Sequence, residues 1–334
     1  GAAVSERSTS VLEQYDFQVI RSVRGRGAML CETDKGLVLL KEYDGSLLRL
    51  SIEDEILRGL KNTGRNVDGY IKNKTNQILS IDTDGTKYIV KNWFESKECD
   101  VRNTSEILLA VGELARLHAA MREVSKGLSV ECRQGLSRFM APSLKNTMQK
   151  HQRLLKKVRT YMRTKQKKNE FELQTLKSFE EFFEQGEQSL TLLEQSGYEE
   201  LKVQADREQQ LCHGNYNQHN ILIEGKQIAV VNFDKLSVDL QLTDLYLFMR
   251  KIQEKHNWDI RLCKMMLSEY EKYLALSSEE KQVLKLLFLY PEKFFKLVNH
   301  YYNNNKAWIP QKDLEKLGTV IKQNQAKKEC LQKI

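Results

Sequence analysis

A short β segment interrupts the helical second half of the chain, and the loop inside it narrows the choice of fold. Residues 211–233 read LCHGNYNQHNILIEGKQIAVVNF. Two apolar runs, ILI and IAVV, follow a polar loop that begins at His213 and ends at Asn220. Apolar runs that are rich in β-branched residues and bounded by Gly and Asn are typical of strands joined by tight turns. The pattern predicts a hairpin preceded by a loop of hydrogen-bonding side chains.

The chain on either side of this hairpin divides into a β-rich part and a helical part. Residues 17–43 alternate apolar runs with glycine turns and predict successive antiparallel strands. A helix over SLLRLSIEDEILRGLKN and two more strand-like runs, GYIKNKTNQILSIDTDG and TKYIVKNWF, follow. From Asn103 onward apolar residues recur at helical spacing. We therefore predict an α+β fold with a small antiparallel β lobe at 1–95, which includes one helix, and a larger helical lobe at 96–334.

The helical part includes a segment of segregated charge, at about 122–205. Ten Lys or Arg and no Asp or Glu lie between Lys145 and Lys168, whereas 169–188 is rich in Glu. Both stretches have apolar residues at helical spacing, so two antiparallel helices of complementary charge would explain them without a ligand. A polyanion-binding face on the basic helix is the alternative, and the sequence leaves both open.

Two further patterns lie nearer the C-terminus. Ser277 and Glu280 have the spacing of a capping box, which predicts a helix start. The final stretch, TVIKQNQAKKECLQKI, is polar and basic and predicts a frayed terminal helix.

The composition of the chain bears on where the protein is made and on which partners it can bind. No apolar run approaches the ~18 residues of a membrane-spanning helix. GAAVSERSTS lacks a signal-peptide core, so we expect cytoplasmic synthesis and no membrane partner. The net charge of +8 comes without a nucleic-acid-binding motif, so nucleic acid is not an expected partner. Six cysteines without CxxC pairs predict idle thiols rather than a zinc site, and Cys330 could cross-link molecules under oxidising conditions.

Two charged residues in the β-rich part have positions suited to binding a nucleotide. Phosphoryl transfer needs a cation beside the phosphates, oxygen ligands for magnesium and a carboxylate beside the attacking hydroxyl. Lys41 ends an apolar strand that follows a turn containing Gly25 and Gly27, so its ammonium group can reach phosphates. Glu53 on the next helix is the expected partner of Lys41, with Glu55 as the alternative. Exposed surface roles for Lys41 and Glu53 are the competing interpretation.

The loop HGNYNQHN, the strand after it and a second strand ending in NFD resemble the aminoglycoside phosphotransferase and choline kinase group. The group's loop reads H-G-D-x-x-x-x-N, and its second strand ends in Asp followed by Phe or Trp. LARLHAAM and YIVKNWFES resemble the group's helix and lobe-connecting segment. The resemblance covers most of the chain except about 122–205. It implies a protein-kinase-like fold of two lobes.

Within that group, the segments HGNYNQHNIL, VNFD, DLYLFMRKI and YPEKFFKLVNHYYNNNKAW together resemble the spore coat protein S (CotS) family. This family shares the kinase-like fold and is associated with the coat layers of endospores. The resemblance implies cytoplasmic synthesis in the sporulating cell, later incorporation into the spore coat, and other coat proteins as partners.

The resemblance also assigns the residues of the site. It implies that His213 braces the loop and that Asn215 stands where the group has its catalytic Asp. Asn220 matches the group's metal-binding Asn, and Asn232 replaces its magnesium-binding Asp. Asp234, two residues further on, could supply one metal contact if the backbone shifts.

The two amides change the expected chemistry. A carboxamide cannot accept a proton, so Asn215 cannot be a general base, and such a loss typically lowers the rate by about 10²–10⁴. Asn232 offers a neutral oxygen to magnesium, which prefers anionic ligands. We therefore expect a pseudokinase-like coat protein with a degraded phosphotransferase site. The alternative is an active phosphotransferase that uses ATP and magnesium to modify a hydroxyl group of a small molecule, as aminoglycoside or choline kinases do.

Overall fold

The computed structural model describes residues 6–25, 27–304 and 310–334. Contacts between residues divide the chain into two compact units. The first unit contains the chain up to Phe139 together with Leu211–Ser237, and the second contains Met140–Gln210 and Val238–Ile334. The predicted boundary at residue 95 lies inside the first unit, and the division into lobes at 1–95 and 96–334 stays a prediction.

Antiparallel sheets form the β part of the first unit. The larger has the strand order β1-β2-β3-β5-β4 and the smaller the order β6-β8-β9. The strands run as follows: β1 Val19–Gly25, β2 Ala28–Thr33, β3 Gly36–Glu42, β4 Ser80–Ile81, β5 Lys87–Asn92, β6 Lys97–Glu98, β7 Leu211–Cys212, β8 Ile221–Glu224, β9 Gln227–Val230 and β10 Ser237–Val238. The strands predicted within 17–43 and the 211–233 hairpin are confirmed, whereas GYIKNKTNQILSIDTDG contributes only β4.

The two faces of the larger sheet have different environments. One face packs on the N-terminal 3-10 helix, Glu6–Gln14, and its core consists of Val11, Leu12, Tyr15, Met29, Cys31, Val38, Leu40, Tyr88 and Val90. Successive side chains of a strand point to opposite faces. The other face therefore carries the paired residues Leu39 and Lys91, and beside them Lys41 and Ile89.

Eleven α-helices are described. In the first unit they are α1 Leu47–Asn62, α2 Thr104–Lys126 and α3 Val130–Gly135. In the second unit they are α4 Leu144–Thr164, α5 Glu170–Gln195, α6 Tyr198–Glu208, α7 Leu242–Lys255, α8 Ile260–Glu271, α9 Ser278–Leu289, α10 Glu292–Asn303 and α11 Gln311–Lys333. The capping box predicted at Ser277 and Glu280 starts α9. None of these helices combines the length and apolar character needed to cross a lipid bilayer.

The charged segment forms the predicted antiparallel pair of helices. Lys145, in the first turn of α4, lies 3.7 Å from Glu194 near the end of α5. Lys165, just beyond α4, lies 2.7 Å from Glu172 in the first turn of α5. Asn169 and Glu172 form a capping box that begins α5, so the reversal of the chain between the helices is encoded locally.

The predicted C-terminal helix is present, but the prediction that it is frayed is wrong, because α11 packs along its length. It buries Leu317, Cys330 and Leu331, and its buried polar residues have hydrogen-bond partners. The Asn324 side chain bonds Gln185 and Glu181, and Lys327 donates to the Leu289 and Tyr290 carbonyls. A helix whose inner face is partly polar has no clear apolar stripe in the sequence. The end of the aromatic stretch before it, residues 305–309, lies outside the described residues.

Candidate functional site

The loop that precedes the hairpin is held at its start by His213 and Gly214. The His213 side chain is buried, its Nε2 lies 2.9 Å from the Val231 carbonyl oxygen, and its Nδ1 accepts from the Asn215 N–H at 3.1 Å. Gly214 has a φ of +88°, and a Cβ there would lie 1.9 Å from the carbonyl oxygen of Lys235. Only glycine fits this position, and His213 ties the loop to the end of β9, in the bracing position that the resemblance implies.

A connected hydrogen-bond network includes Asn215, Asn217, Asn220 and Asn232, and it runs through their side-chain amides and the Asn215 backbone carbonyl. Asn232 Nδ2 donates to Asn220 Oδ1 at 2.7 Å. Asn220 Nδ2 in turn donates to the Asn215 carbonyl at 2.9 Å. Asn217 Nδ2 donates to Asn215 Oδ1, also at 2.9 Å. The structure thus brings together the predicted Asn215, Asn220 and Asn232, and it adds Asn217. We call these four residues the asparagine network.

The backbone at Asn232 has a conformation that favours asparagine. Its φ is +61°, in the left-handed region that Asn and Asp enter more readily than other residues with a side chain. Its N–H donates to the Asp68 carboxylate at 3.0 Å. A short polar side chain at this position therefore follows from the backbone as well as from the chemistry of the site.

Asp68 and Lys91 form a buried ion pair beside the asparagine network. The Lys91 ammonium lies 2.9 Å from Asp68 Oδ2, and the Asp68 side chain is fully buried. Lys91 Nζ also lies 4.8 Å from the centre of the Tyr70 ring. Asp68 Oδ1 has no hydrogen-bond partner in the described part of the chain. Sequence reasoning missed this pair, although a lysine inside the apolar strand YIVKNWF is a signal that a buried carboxylate faces it.

Lys41 and Glu53 are not brought together in the structure. Lys41 is exposed on β3, and its ammonium group has no hydrogen-bond or ion-pair partner among the described residues. Glu53 is buried on α1, where it pairs with Arg49 Nε at 2.7 Å and accepts from the Tyr70 hydroxyl. The alternative, Glu55, accepts from the backbone and side chain of Ser129. Nucleotide binding by Lys41 stays a prediction.

Tyr70 connects the Glu53 carboxylate to the buried ion pair. Burial raises the pKa of the Tyr70 hydroxyl above its usual value, and the nearby Glu53 carboxylate raises it further. The hydroxyl therefore stays protonated and donates to Glu53. This contact orients Glu53 away from the role of partner to a phosphate-binding lysine.

Asp234 lies just after the hairpin and is exposed. Its backbone carbonyl accepts from the Arg49 guanidinium at 2.5 Å, and the guanidinium lies 4.6 Å from the centre of the Phe139 ring. Arg49 therefore holds the backbone at Asp234 to α1. The backbone shift that would give Asp234 a metal contact would have to break this bond.

The donor set at the site does not fit magnesium. Hard divalent cations prefer several oxygen ligands, carboxylates above all. Asn220 Oδ1 already accepts from Asn232, and the charge of the adjacent Asp68 is balanced by Lys91. Across the described ranges, no cluster of three or more His, Cys, Asp or Glu side chains is arranged to hold a metal ion. No chemical step through magnesium can be derived for these residues.

Comparisons with solved structures support the predicted fold. The chain is similar to an aminoglycoside phosphotransferase from Alicyclobacillus acidocaldarius, with a TM-score of 0.84 and 16% identity over 97% of this chain and 93% of that one. It is also similar to spectinomycin phosphotransferase APH(9)-Ia, with a TM-score of 0.69 and 12% identity over 100% and 99% of the two chains. At such identities the likeness shows the fold, and it confirms a kinase-like α+β architecture.

A family model built on spore coat proteins matches almost the whole chain. The match spans residues 8–334 and therefore includes the asparagine network, the buried ion pair and the charged helices. It confirms the resemblance to a spore coat family of kinase-like fold that the loop and strand motifs indicate. The chain belongs to the family described as "Spore coat putative kinase YutH".

Proposed function

We propose that this protein is a structural or assembly component of the spore coat that keeps a kinase-like fold without phosphoryl transfer. The observation that carries the proposal is the hydrogen bond from Asn232 Nδ2 to Asn220 Oδ1. The Asn220 side-chain oxygen, which a metal would need, accepts this bond instead. The family membership supports the coat setting, and the fold supports descent from phosphotransferases.

The asparagine network gives the side chains of the site hydrogen-bond partners without a metal ion. A carboxylate at position 232 would lie beside Asn220 Oδ1 and near the Asp68 carboxylate, which already contacts the Asn232 backbone. Carboxylates in one site repel each other unless a cation separates them. The amide at position 232 removes that repulsion and supplies a donor. The amide at position 215 affects catalysis rather than stability, because it leaves the loop without a proton acceptor for the attacking hydroxyl.

The test compares Asn232→Asp with Asn215→Asp, two substitutions that add the same charge. Asn232→Asp should lower the melting temperature when a chelator is present. Adding Mg²⁺ should restore the melting temperature, because the ion would lie between the new carboxylate at position 232 and that of Asp68. Asn215→Asp should change stability little, since Asn217 can still donate to an Asp oxygen at 215. Equal effects of the two substitutions, or no response of Asn232→Asp to Mg²⁺, would contradict the account of the network.

Nucleotide binding and turnover test the absence of catalysis. We expect ATP with Mg²⁺ to give the wild-type protein no more stabilisation than ATP in a chelator, and no phosphoryl transfer to aminoglycoside or choline-like alcohols. Mg²⁺-dependent stabilisation with turnover, abolished by Lys41→Ala and by Asn220→Ala, would establish the active phosphotransferase instead. A rise in melting temperature with ATP alone that Lys41→Ala removes would show a nucleotide site beside an inactive centre. That result would leave the proposal standing.

The coat role has its own test. A fluorescently tagged chain should localise to the spore coat in sporulating cells, and a Lys41→Ala version should localise equally well because assembly does not require the nucleotide site. Failure of the wild-type chain to reach the coat, or loss of coat localisation in Lys41→Ala, would refute a structural role that is independent of the site.

A further inference from the structure

Helix α4 presents a set of exposed positive charges along one side, which we call the basic face. Its members are Lys150, Arg153, Lys156, Lys157 and Arg163. At 1.5 Å per residue they extend over about 20 Å of the helix. None of the five has a carboxylate partner in the ranges that the structure describes; the ion pairs of this segment use Lys145, Arg159 and Lys165.

Helix α5 presents the complementary set, which we call the acidic face. Its members are Glu170, Glu180, Glu184, Glu187 and Glu194, all exposed. Glu180 lies 3.9 Å from Arg159, and Glu194 lies 3.7 Å from Lys145. These contacts show that the acidic face borders α4, so stripes of opposite sign lie side by side on one helical hairpin.

Neutralisation within the hairpin does not account for these charges. Like charges three or four residues apart on a helix destabilise it by a few tenths of a kcal/mol each. Both faces contain such pairs, for example Arg153 with Lys157 and Glu180 with Glu184. A partner with the opposite arrangement of charge would relieve the repulsion on both helices at once.

Two lysines of the basic face are already positioned by aromatic rings. Lys156 Nζ lies 5.4 Å from the centre of the Phe183 ring, and Lys157 Nζ lies 5.7 Å from the centre of the Tyr302 ring. Cation–π contacts restrict long side chains before any partner binds. Less side-chain entropy is then lost on association, which favours a defined docking surface over a merely solvated one.

We propose that the α4–α5 hairpin is the interface of a homodimer in which a two-fold axis sets each basic face against the acidic face of the partner. Five charges of one sign then face five of the other on both halves of the interface, and the two-fold arrangement closes on itself. The inference concerns the second unit alone and does not depend on whether the first unit transfers phosphate.

A polyanion fits the hairpin less well than a second copy does. Packed helices lie about 8–10 Å apart, so a polyanion wider than one helix that covered α4 would also cover the carboxylates of α5. At physiological ionic strength charges interact over about 8 Å, so that repulsion would be felt. Only a partner with neighbouring stripes of both signs matches both helices.

Sedimentation velocity of the full chain and of charge-reversed variants tests the interface. One variant reverses the basic face (Lys150→Glu, Arg153→Glu, Arg163→Glu), and another reverses the acidic face (Glu180→Lys, Glu184→Lys, Glu187→Lys). A control lowers the net charge by as much as the basic-face variant does, at exposed residues of α8 and α11 (Arg261→Glu, Lys264→Glu, Lys322→Glu). All three variants change surface side chains, and circular dichroism is used to check that each one is folded.

The expected results are specific to this interface. The wild-type protein and the control form dimers at about 0.1 M salt that weaken at about 1 M, where the screening length falls to about 3 Å. Each face-reversed variant alone dimerises at least about tenfold more weakly, because like charges now face each other. An equimolar mixture of the two variants recovers the dimer, since every contact is again between opposite charges.

Three outcomes would overturn the proposal. They are a wild-type protein that stays monomeric at low salt, variants that dimerise as the wild type does, and a mixture that fails to recover the dimer. Salt-sensitive retention of a monomeric wild-type protein on immobilised polyphosphate, lost in the basic-face variant, would assign the surface to a polyanion instead.

Discussion

The buried ion pair between Lys91 and Asp68 offers a quantitative test of how the candidate site is stabilised. The charged atoms are 2.9 Å apart, the Asp68 side chain is fully buried and that of Lys91 is 8% exposed. At an effective dielectric constant of about 20, their attraction is about 6 kcal/mol, offset by several kcal/mol of desolvation for each ion. Removing one partner leaves the other charge buried and unpaired, which typically costs about 3–5 kcal/mol.

The perturbation is a double-mutant cycle of Lys91→Met and Asp68→Asn. Each single substitution should lower the free energy of unfolding by about 3–5 kcal/mol. Asn at position 68 still accepts from the Asn232 N–H, so its effect reports mainly the loss of charge. The double variant removes both charges and should be less destabilised than the sum of the singles by about 2–3 kcal/mol.

Urea unfolding followed by circular dichroism measures these free energies. The matched control is Lys126 and Glu123 on α2, which are 3.1 Å apart but exposed, with 74% and 69% of their side chains accessible. Their coupling should be below about 1 kcal/mol, since solvent screens exposed pairs. A Lys91–Asp68 coupling no larger than that of the control would refute the view that this pair determines the stability of the site.

Three further predictions concern other parts of the molecule. Gly214→Ala should lower the free energy of unfolding by more than about 2 kcal/mol, because the new Cβ would meet the Lys235 carbonyl. The control is Gly225→Ala, where φ is +61° but the surrounding space is open. It should cost about 1–2 kcal/mol in the same unfolding assay. Burial lowers the pKa of Lys327 to about 7, so the unfolded chain binds a proton that the folded chain lacks at pH values above 7 and below the usual lysine pKa. The free energy of unfolding of the wild type, measured relative to that of a Lys327→Met variant, should therefore rise with pH across that window by more than about 1 kcal/mol, and a difference that stayed constant with pH would contradict this. Cys263 and Cys330 are both buried, and the neighbouring Cys330 thiol raises the pKa of the Cys263 thiol. Glutathione disulfide should therefore yield an intramolecular disulfide, seen by mass spectrometry as a loss of two hydrogens, rather than a Cys330-linked dimer on a non-reducing gel.

Much of the fold could be predicted because its signals are local. Glycine turns between apolar runs predicted β1 to β3, and a capping box predicted the start of α9. Segregated charge on two periodic segments predicted the antiparallel α4–α5 hairpin. Each of these signals lies within a few residues of the feature it specifies, so one sequence is enough to identify it. The packing of α11 could not be predicted, because several of its buried residues are polar.

The sequence by itself determined which groups the site contains, because Asn215 and Asn232 lack the charge of Asp in any conformation. Only the tertiary structure decided their partners. Asn232 bonds Asn220, and Asp68 binds Lys91. Glu53 forms an ion pair with Arg49 and accepts a hydrogen bond from Tyr70, and it does not pair with Lys41. The reason is physical: hydrogen bonds and ion pairs between distant segments depend on strand register and helix packing to within about an ångström. Residue type and spacing along the chain do not specify positions with that precision.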